Sequence, residues 1–269
     1  MDKQLVRDYR NRFFSYVRTF TFDDPVIQRN IDLKLRHTLR VCREVVAIGA
    51  ELGLKERDLS LSETTALFHD IGRFEQYARY RTFSDSRSVN HARLGADILL
   101  DQGILDGLEE KDLILRIVSC HNCAVLPSHE DENFLFFSRL LRDADKLDIW
   151  RVVTDYYQEK ENGVRNGTIE LDLPDTPGIS KKIRDRLING ETILFHSMKN
   201  LNDFKLLQVG WVYDVNFSPT FKRIEERGIL AKLRRSLPDS ADVRLIFQAV
   251  DTWVENQLHM TPESNRGRR

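Results

Sequence analysis

Apolar residues recur along this chain at spacings of three and four, while strict alternation is scarce, so the pattern predicts helices rather than strands. A first helix is expected over Leu5 to Phe20, ahead of Asp23-Asp24-Pro25. A second runs from about Val26 to Leu52 and stops at Gly53, a residue that ends helices readily. Ser60-Leu61-Ser62-Glu63 reads as a capping box opening a third, which carries His69-Asp70 at its end. Residues 73–90 are polar and Arg-rich, reading as a long loop or a short broken helix. Further helices are expected near 91–103, 109–123 and 132–160. The stretch from Gly163 to Ile179, with Gly167, Pro174, Pro177 and Gly178, is the clearest break. Helical patterns return near 180–208, 218–235 and 240–259, and Thr261 to Arg269 reads as a frayed polar tail. The expected fold class is all-α, a helical bundle over residues 1–160 followed by a helical extension over 161–269.

The same spacing says which polar side chains face inward. Leu33, His37, Val41, Val45, Ile48 and Leu52 share one face of the second helix, which turns His37 toward the core. Ile114, Ile117 and His121 share another face. Phe137, Leu141 and Asp145 fall at i, i+4 and i+8, so a carboxylate lies along an apolar stripe. A buried carboxylate without compensation is costly, and a metal or a buried cation relieves that cost. Asp143 is expected to face solvent, and Lys34, Arg36 and Arg40 to form an exposed face.

His69 and Asp70 stand where the apolar run Ala66-Leu67-Phe68 gives way to Ile71-Gly72-Arg73. His offers a neutral nitrogen and Asp a charged oxygen, so the pair can grip a transition metal from two directions. A single inward His is ordinarily a hydrogen-bonded core residue. Here four of the 7 histidines (His37, His69, His91 and His121) lie at helix ends or on apolar faces, with Asp70 and Asp145 alongside.

Charge adds an exclusion. Lys+Arg and Asp+Glu nearly cancel, at 41 against 42, which disfavours a polymeric nucleic acid as partner. No stretch approaches the roughly 20 apolar residues of a membrane helix, and Met1-Asp2-Lys3-Gln4 opens nothing like a signal peptide. Three cysteines make no disulfide framework, and Cys120 and Cys123 are expected to fill core space beside His121. A cytoplasmic protein is the expectation.

The order His37, His69-Asp70, His91, His121, Asp145 resembles the HD-domain superfamily of metal-dependent phosphohydrolases. The likeness spans roughly residues 30–155 and rests on Arg36-His37-Thr38, Leu67-Phe68-His69-Asp70-Ile71-Gly72-Arg73, Asn90-His91-Ala92, Ser119-Cys120-His121-Asn122 and Asp143-Ala144-Asp145-Lys146-Leu147. The resemblance implies that His37, His69, Asp70 and Asp145 hold one metal, and that His91 and His121 add a second with Asp70 bridging. It implies one or two divalent transition-metal ions, with Mn, Fe, Co, Ni and Zn as candidates and Mg as a further one. Asp70, Arg73 and Lys146 are the candidate catalytic residues, and Arg79, Arg81 and Asn122 the candidate substrate contacts. Tyr77 and Tyr80 offer rings for a base, and Asp148 stands three residues from Asp145 as an orienter or general base. The subgroup it is similar to, the uncharacterised bacterial HD-domain phosphohydrolases, brings no substrate with it.

Two departures narrow the likeness. His121-Asn122-Cys123-Ala124-Val125 lacks the further His and Gly-Tyr-Pro of the cyclic-dinucleotide phosphodiesterases, and Arg73 stands where many relatives have Lys. The expected function is hydrolysis of a phosphate ester of a nucleotide or small phosphorylated metabolite, with a homodimer left open. Two other classes share the ligand order: HD-type mixed-valent di-iron oxygenases, and non-catalytic binding modules on the same scaffold.

Overall fold

The computed structural model describes residues 1–160 and 167–259, and among these there are helices and no strands. The chain divides into two compact units, Met1–Asp148 and the remainder from Ile149. In the first unit lie α1 (Lys3–Arg18), α2 (Pro25–Glu51), α3 (Glu56–Phe68), α4 (Ile71–Tyr80), α5 (His91–Asp101) and α6 (Lys111–Cys120). The long helix α7 (Glu132–Lys160) begins in this unit and runs on into the second.

Helix starts are written locally. Asp24 accepts from the Val26 and Ile27 amides while Pro25 occupies the first helical position, which fixes the start of α2. Asn90 does the same for α5, accepting from Ala92 and Arg93. The third helix departs from expectation. It opens at Glu56, where Glu56 and Asp58 complement the positive end of the helix, and Ser60 and Ser62 are buried within it. The Ser62 hydroxyl donates to the Asp58 carbonyl at 2.8 Å instead of capping.

The Arg-rich stretch after the His-Asp pair is mostly helix. Phe74, Gln76 and Tyr77 of α4 are buried, while Arg79 and Tyr80 lie outside, so its polar residues are the outer face of an amphipathic helix. The helix ends at Arg81, which adopts a left-handed backbone at φ 54°. Only residues 81–90 are irregular, apart from one tight turn at Asp85–Arg87.

The corner between α3 and α4 is the apolar centre of this unit. Leu67, Phe68, Ile71 and Phe74 are fully buried, and Phe13 of α1 packs edge-on against both Phe68 and Phe74, at 6.3 and 5.8 Å. Each such side chain contributes about 1.5–3 kcal/mol by leaving water. His69 and Asp70 are therefore held between fully buried apolar side chains. α4 and α5 cross at Gly72 and Gly95, where backbones touch. A Cβ on Gly72 would lie 2.2 Å from the His91 carbonyl oxygen and 2.7 Å from the Gly95 nitrogen.

In the second unit the described residues form the end of α7, a single turn α8 (Gly167–Glu170), α9 (Lys181–Ile188), α10 (Leu201–Gly210), α11 (Ser218–Glu226), α12 (Ile229–Arg235) and α13 (Ala241–His259). The helices expected over 180–208 and 218–235 are each broken, the first at Asn189-Gly190 (Gly190 φ 74°) and the second at Gly228 (φ 59°). Trp150 anchors this unit, donating its indole N–H to the Gln208 carbonyl at 2.9 Å. The expected tail at 261–269, and residues 163–166 of the expected break, lie outside the described residues.

Gly72→Ala should destabilise the protein by about 1–3 kcal/mol through overpacking against fixed backbone. Gly95→Ala, whose nearest new contact is the Ile71 methyl at 3.2 Å, should cost clearly less. Denaturant unfolding of both variants checks this, and equal losses would contradict the close-crossing account.

Candidate metal centre

Four imidazoles converge on Asp70. His37 comes from α2, His69 is the residue that ends α3, His91 opens α5, and His121 ends α6. Asp70 links α3 to α4, and Asp145 projects from α7. Every imidazole of this set and Asp70 is buried, while the Asp145 side chain keeps 20% of its exposure.

The outward nitrogen of each ring is taken by an acceptor. His37 Nδ1 lies 2.7 Å from Asp148 Oδ2, and His91 Nδ1 lies 2.8 Å from both Asp85 oxygens. His69 Nδ1 and His121 Nδ1 each sit 2.7 Å from the carbonyl three residues back, Ala66 and Val118 respectively. These acceptors assign the proton to Nδ1 in all four rings. The four Nε2 atoms then carry lone pairs, and all four face Asp70. Metal-binding histidines are oriented in this way, by hydrogen bonds from the nitrogen that does not bind.

Asp70 meets the rings in two pairs. Its Oδ2 lies 3.5 Å from His37 Nε2 and 3.7 Å from His69 Nε2. Its Oδ1 lies 3.4 Å from His91 Nε2 and 3.6 Å from His121 Nε2. The two groups that could hold a metal ion, His37-His69-Asp70 and Asp70-His91-His121, thus share one carboxylate. Asp145 Oδ1 stands by the first, 3.1 Å from His37 Nε2 and 3.8 Å from His69 Nε2.

Several features fit these groups to a cation. His37 Nε2, His69 Nε2 and Asp145 Oδ1 are buried without a hydrogen-bond partner. His91 Nε2 and His121 Nε2 face each other at 3.0 Å, although both rings spend their proton on the far side. Two lone pairs at that distance repel unless something positive lies between them. Atoms bound about 2.0–2.2 Å from one ion stand roughly 2.8–3.6 Å apart, close to the spacings seen.

Electrostatics points the same way for His69 and His91. Burial drives the pKa of His69 down to about 4 and, aided by Arg73, that of His91 down to about 3, so both rings are neutral. Burial and Lys34 also depress His37, but Asp145 and Asp148 outweigh them and raise it above its usual value. Burial would raise the Asp70 carboxyl, yet Lys34, His69, His121 and Arg73 together hold it well below the usual carboxylate range. Asp145 is likewise lowered, by His37 and His69 against the effect of burial.

The other sequence candidates fall in different places. The Arg73 Nη1 atom bonds Gln76 and Asp85, the latter at 3.0 Å, and also the Phe83 carbonyl, while Nε lies 3.5 Å from Asp70 Oδ1. Lys146 is buried beside Asp145 on α7. Asn122 donates to Asp85 at 3.0 Å, which brings it to the rim of the His91 group. Arg79 is exposed and paired with Glu75, and Arg81 folds back onto the Tyr77 and Ala78 carbonyls and over the Phe22 ring.

Several expectations are overturned. Lys34 and Arg40 are not an outer face: Lys34 donates to Asp70 Oδ2 at 2.8 Å, and Arg40 grips Asp148 with two bonds. Both fall three residues from His37, so one helix face carries all three, and only their charge disguised them. Asp143 is fully buried, not solvent-facing, and Asp148 is the partner of His37. Tyr77 is packed against Phe83 and bonded to Asn30, leaving Tyr80 as the exposed ring. Cys120 and Cys123 are only half-buried. Asp85 and Gln76 were missed altogether: Asp85 lies in an irregular stretch that carries no periodicity to read, and Gln76 lies on a helix that its arginines disguised.

Residues 35–150 match the family model described as HD domain, and the described helices over this stretch agree with the all-α fold of that family. Neither a curated protein nor a solved structure matches the chain. Among the described residues, no helix is long and apolar enough to cross a membrane.

Metal binding to these groups should stabilise the fold, by about 2.7 kcal/mol per site at a free metal concentration of 100 times Kd. Thermal unfolding with and without a chelator measures this. An unfolding midpoint indifferent to chelator and to added Co2+ or Mn2+ would contradict it.

Proposed function

We propose that this chain is a metal-dependent phosphohydrolase, in which water attacks the phosphorus of a small phosphate ester and the P–O bond to the leaving group breaks. The observation that carries this reading is the convergence of four Nε2 lone pairs on one carboxylate, each ring fixed by its far nitrogen. His37, His69, Asp70 and Asp145 would hold one divalent ion, and Asp70, His91 and His121 a second. Such ions, when bound, lower the pKa of water and polarise a phosphoryl oxygen.

The remaining work falls to the protein's own groups. Developing negative charge on the equatorial oxygens calls for cations fixed in advance. Lys34 and Arg73 meet that need, since each touches one oxygen of Asp70 and both lie over the Phe83 ring, at 5.4 and 6.0 Å. The Arg73 Nε atom is buried without a hydrogen-bond partner and lies 3.5 Å from Asp70 Oδ1. Lys146, next to Asp145, is a further candidate. Arg40 holds Asp148, Asp148 holds His37, and the ring is thereby kept from turning its lone pair away.

A small substrate fits better than a polymer, because the chain has no basic excess to hold a phosphate backbone. A nucleotide base would have Tyr80 to stack on, with Tyr77 committed to the interior.

The test is phosphate release from nucleotides and phosphorylated metabolites, using protein purified without chelator and supplied with Mn, Co, Ni or Mg. Asp70→Ala, which removes the ligand common to both groups, should lower the rate at least about 1,000-fold, or about 4 kcal/mol. Two irons per chain with oxygen uptake and no hydrolysis would replace this reading by an oxygenase. No metal and no turnover would leave a binding module.

A further inference from the structure

In each half of the cluster, one imidazole is fixed by its own helix and the other by a carboxylate from elsewhere in the chain. His69 and His121 both end a helix and both lean on the carbonyl three residues back. His37 and His91 have no such carbonyl and depend on Asp148 and Asp85. The two carboxylates are placed very differently. Asp148 is 2% exposed within the long helix α7, and among the described residues Arg40 is the Lys or Arg paired with it. Asp85 is 30% exposed and stands in the irregular stretch between α4 and α5.

Asp85 is the meeting point of that stretch. Arg73 Nη1 donates to its Oδ1 at 3.0 Å, Gln76 Nε2 to the same oxygen at 2.8 Å, and Asn122 Nδ2 to Oδ2 at 3.0 Å. His91 Nδ1 faces both oxygens. Gln76, fully buried in α4, also reaches the Ser88 hydroxyl and the Val89 carbonyl, each at 2.9 Å. The turn that carries Asp85 is thus tied to α4 through Gln76, and to the end of α6 through Asn122, the residue following His121. Four donors on two oxygens leave Asp85 one orientation, and Asp85 in turn leaves His91 one tautomer.

We propose that Asp85 is a positioning residue which, acting through His91, sets the divalent-metal affinity of the Asp70-His91-His121 group independently of the group built on His37 and His69. This rests on the metal-centre reading above and adds to it that the two sites are tuned by separate carboxylates. Loss of an outer partner of this kind costs 10–100-fold in metal affinity. Asparagine keeps the size of Asp85 but offers one oxygen where four donors need two, so it breaks the arrangement without opening a hole.

The experiment is calorimetric titration of the metal-free full chain with Co2+, alongside the visible absorption of bound cobalt. Wild type should show two binding events. Asp85→Asn should weaken one of them about 10–100-fold and leave the other unchanged. Asp148→Asn should weaken the event that Asp85→Asn spares. Both affinities of Asp85→Asn within twofold of wild type would overturn the inference while leaving the metal centre standing, as would equal weakening of both. A single wild-type event supports it only if that event is weakened by Asp85→Asn and not by Asp148→Asn, and any other response overturns it. No cobalt bound by wild type would overturn this inference and the proposed function together.

Discussion

Asp70 is the constraint on which the site is organised. Its carboxylate is buried in an apolar corner, and each of its oxygens faces a different pair of imidazoles. A lone carboxylate there would be driven to protonate. Lys34 at one oxygen and Arg73 at the other keep it charged. The helix arrangement follows from this demand: α3 must end, and α4 begin, at the point where α2, α5, α6 and α7 can bring nitrogen and oxygen to both sides of one residue. The glycine crossing of α4 and α5 lets His91 come close enough to share Asp70.

The charge balance around the imidazoles gives the site its character. Asp70, Asp85, Asp145 and Asp148 touch the rings, and Lys34, Arg40 and Arg73 touch Asp70, Asp85 and Asp148. Among the described residues no Lys or Arg pairs with Asp145, whose partners are His37 and His69. With His69 and His91 neutral, Asp145 is balanced only by the imidazole of His37, whose pKa it raises. Divalent ions bound here would make the site net positive, which suits an anionic ester.

How much of this was legible in the sequence depends on whether a residue sat on a periodic element. His37, His121 and Asp145 fell on apolar stripes of helical spacing, so their inward direction was readable, and His69-Asp70 stood out at the end of an apolar run. The all-α class was equally plain from spacing. What periodicity could not carry was the outer layer. Asp85 lies in an irregular stretch. Lys34 and Arg40 looked like a solvated face because charged residues usually are one, yet each is drawn inward by a buried carboxylate. Asp143 misled for the same reason. The capping-box reading of Ser60 failed because α3 begins one turn earlier, at acidic residues that favour a helix start. The helix over 71–80 was obscured by its arginines, although Phe74 and Tyr77 mark its buried face.

The most direct test of the account is anomalous diffraction at a metal absorption edge from crystals of the full chain grown with Co2+ or Mn2+. The account predicts two peaks, one on each side of the Asp70 carboxylate. The first should be bounded by His37, His69 and Asp145 and the second by His91 and His121, with every ring bound through Nε2. Binding through Nδ1, metal on Cys120 and Cys123 in place of the histidines, or no peak at Asp70 would contradict it.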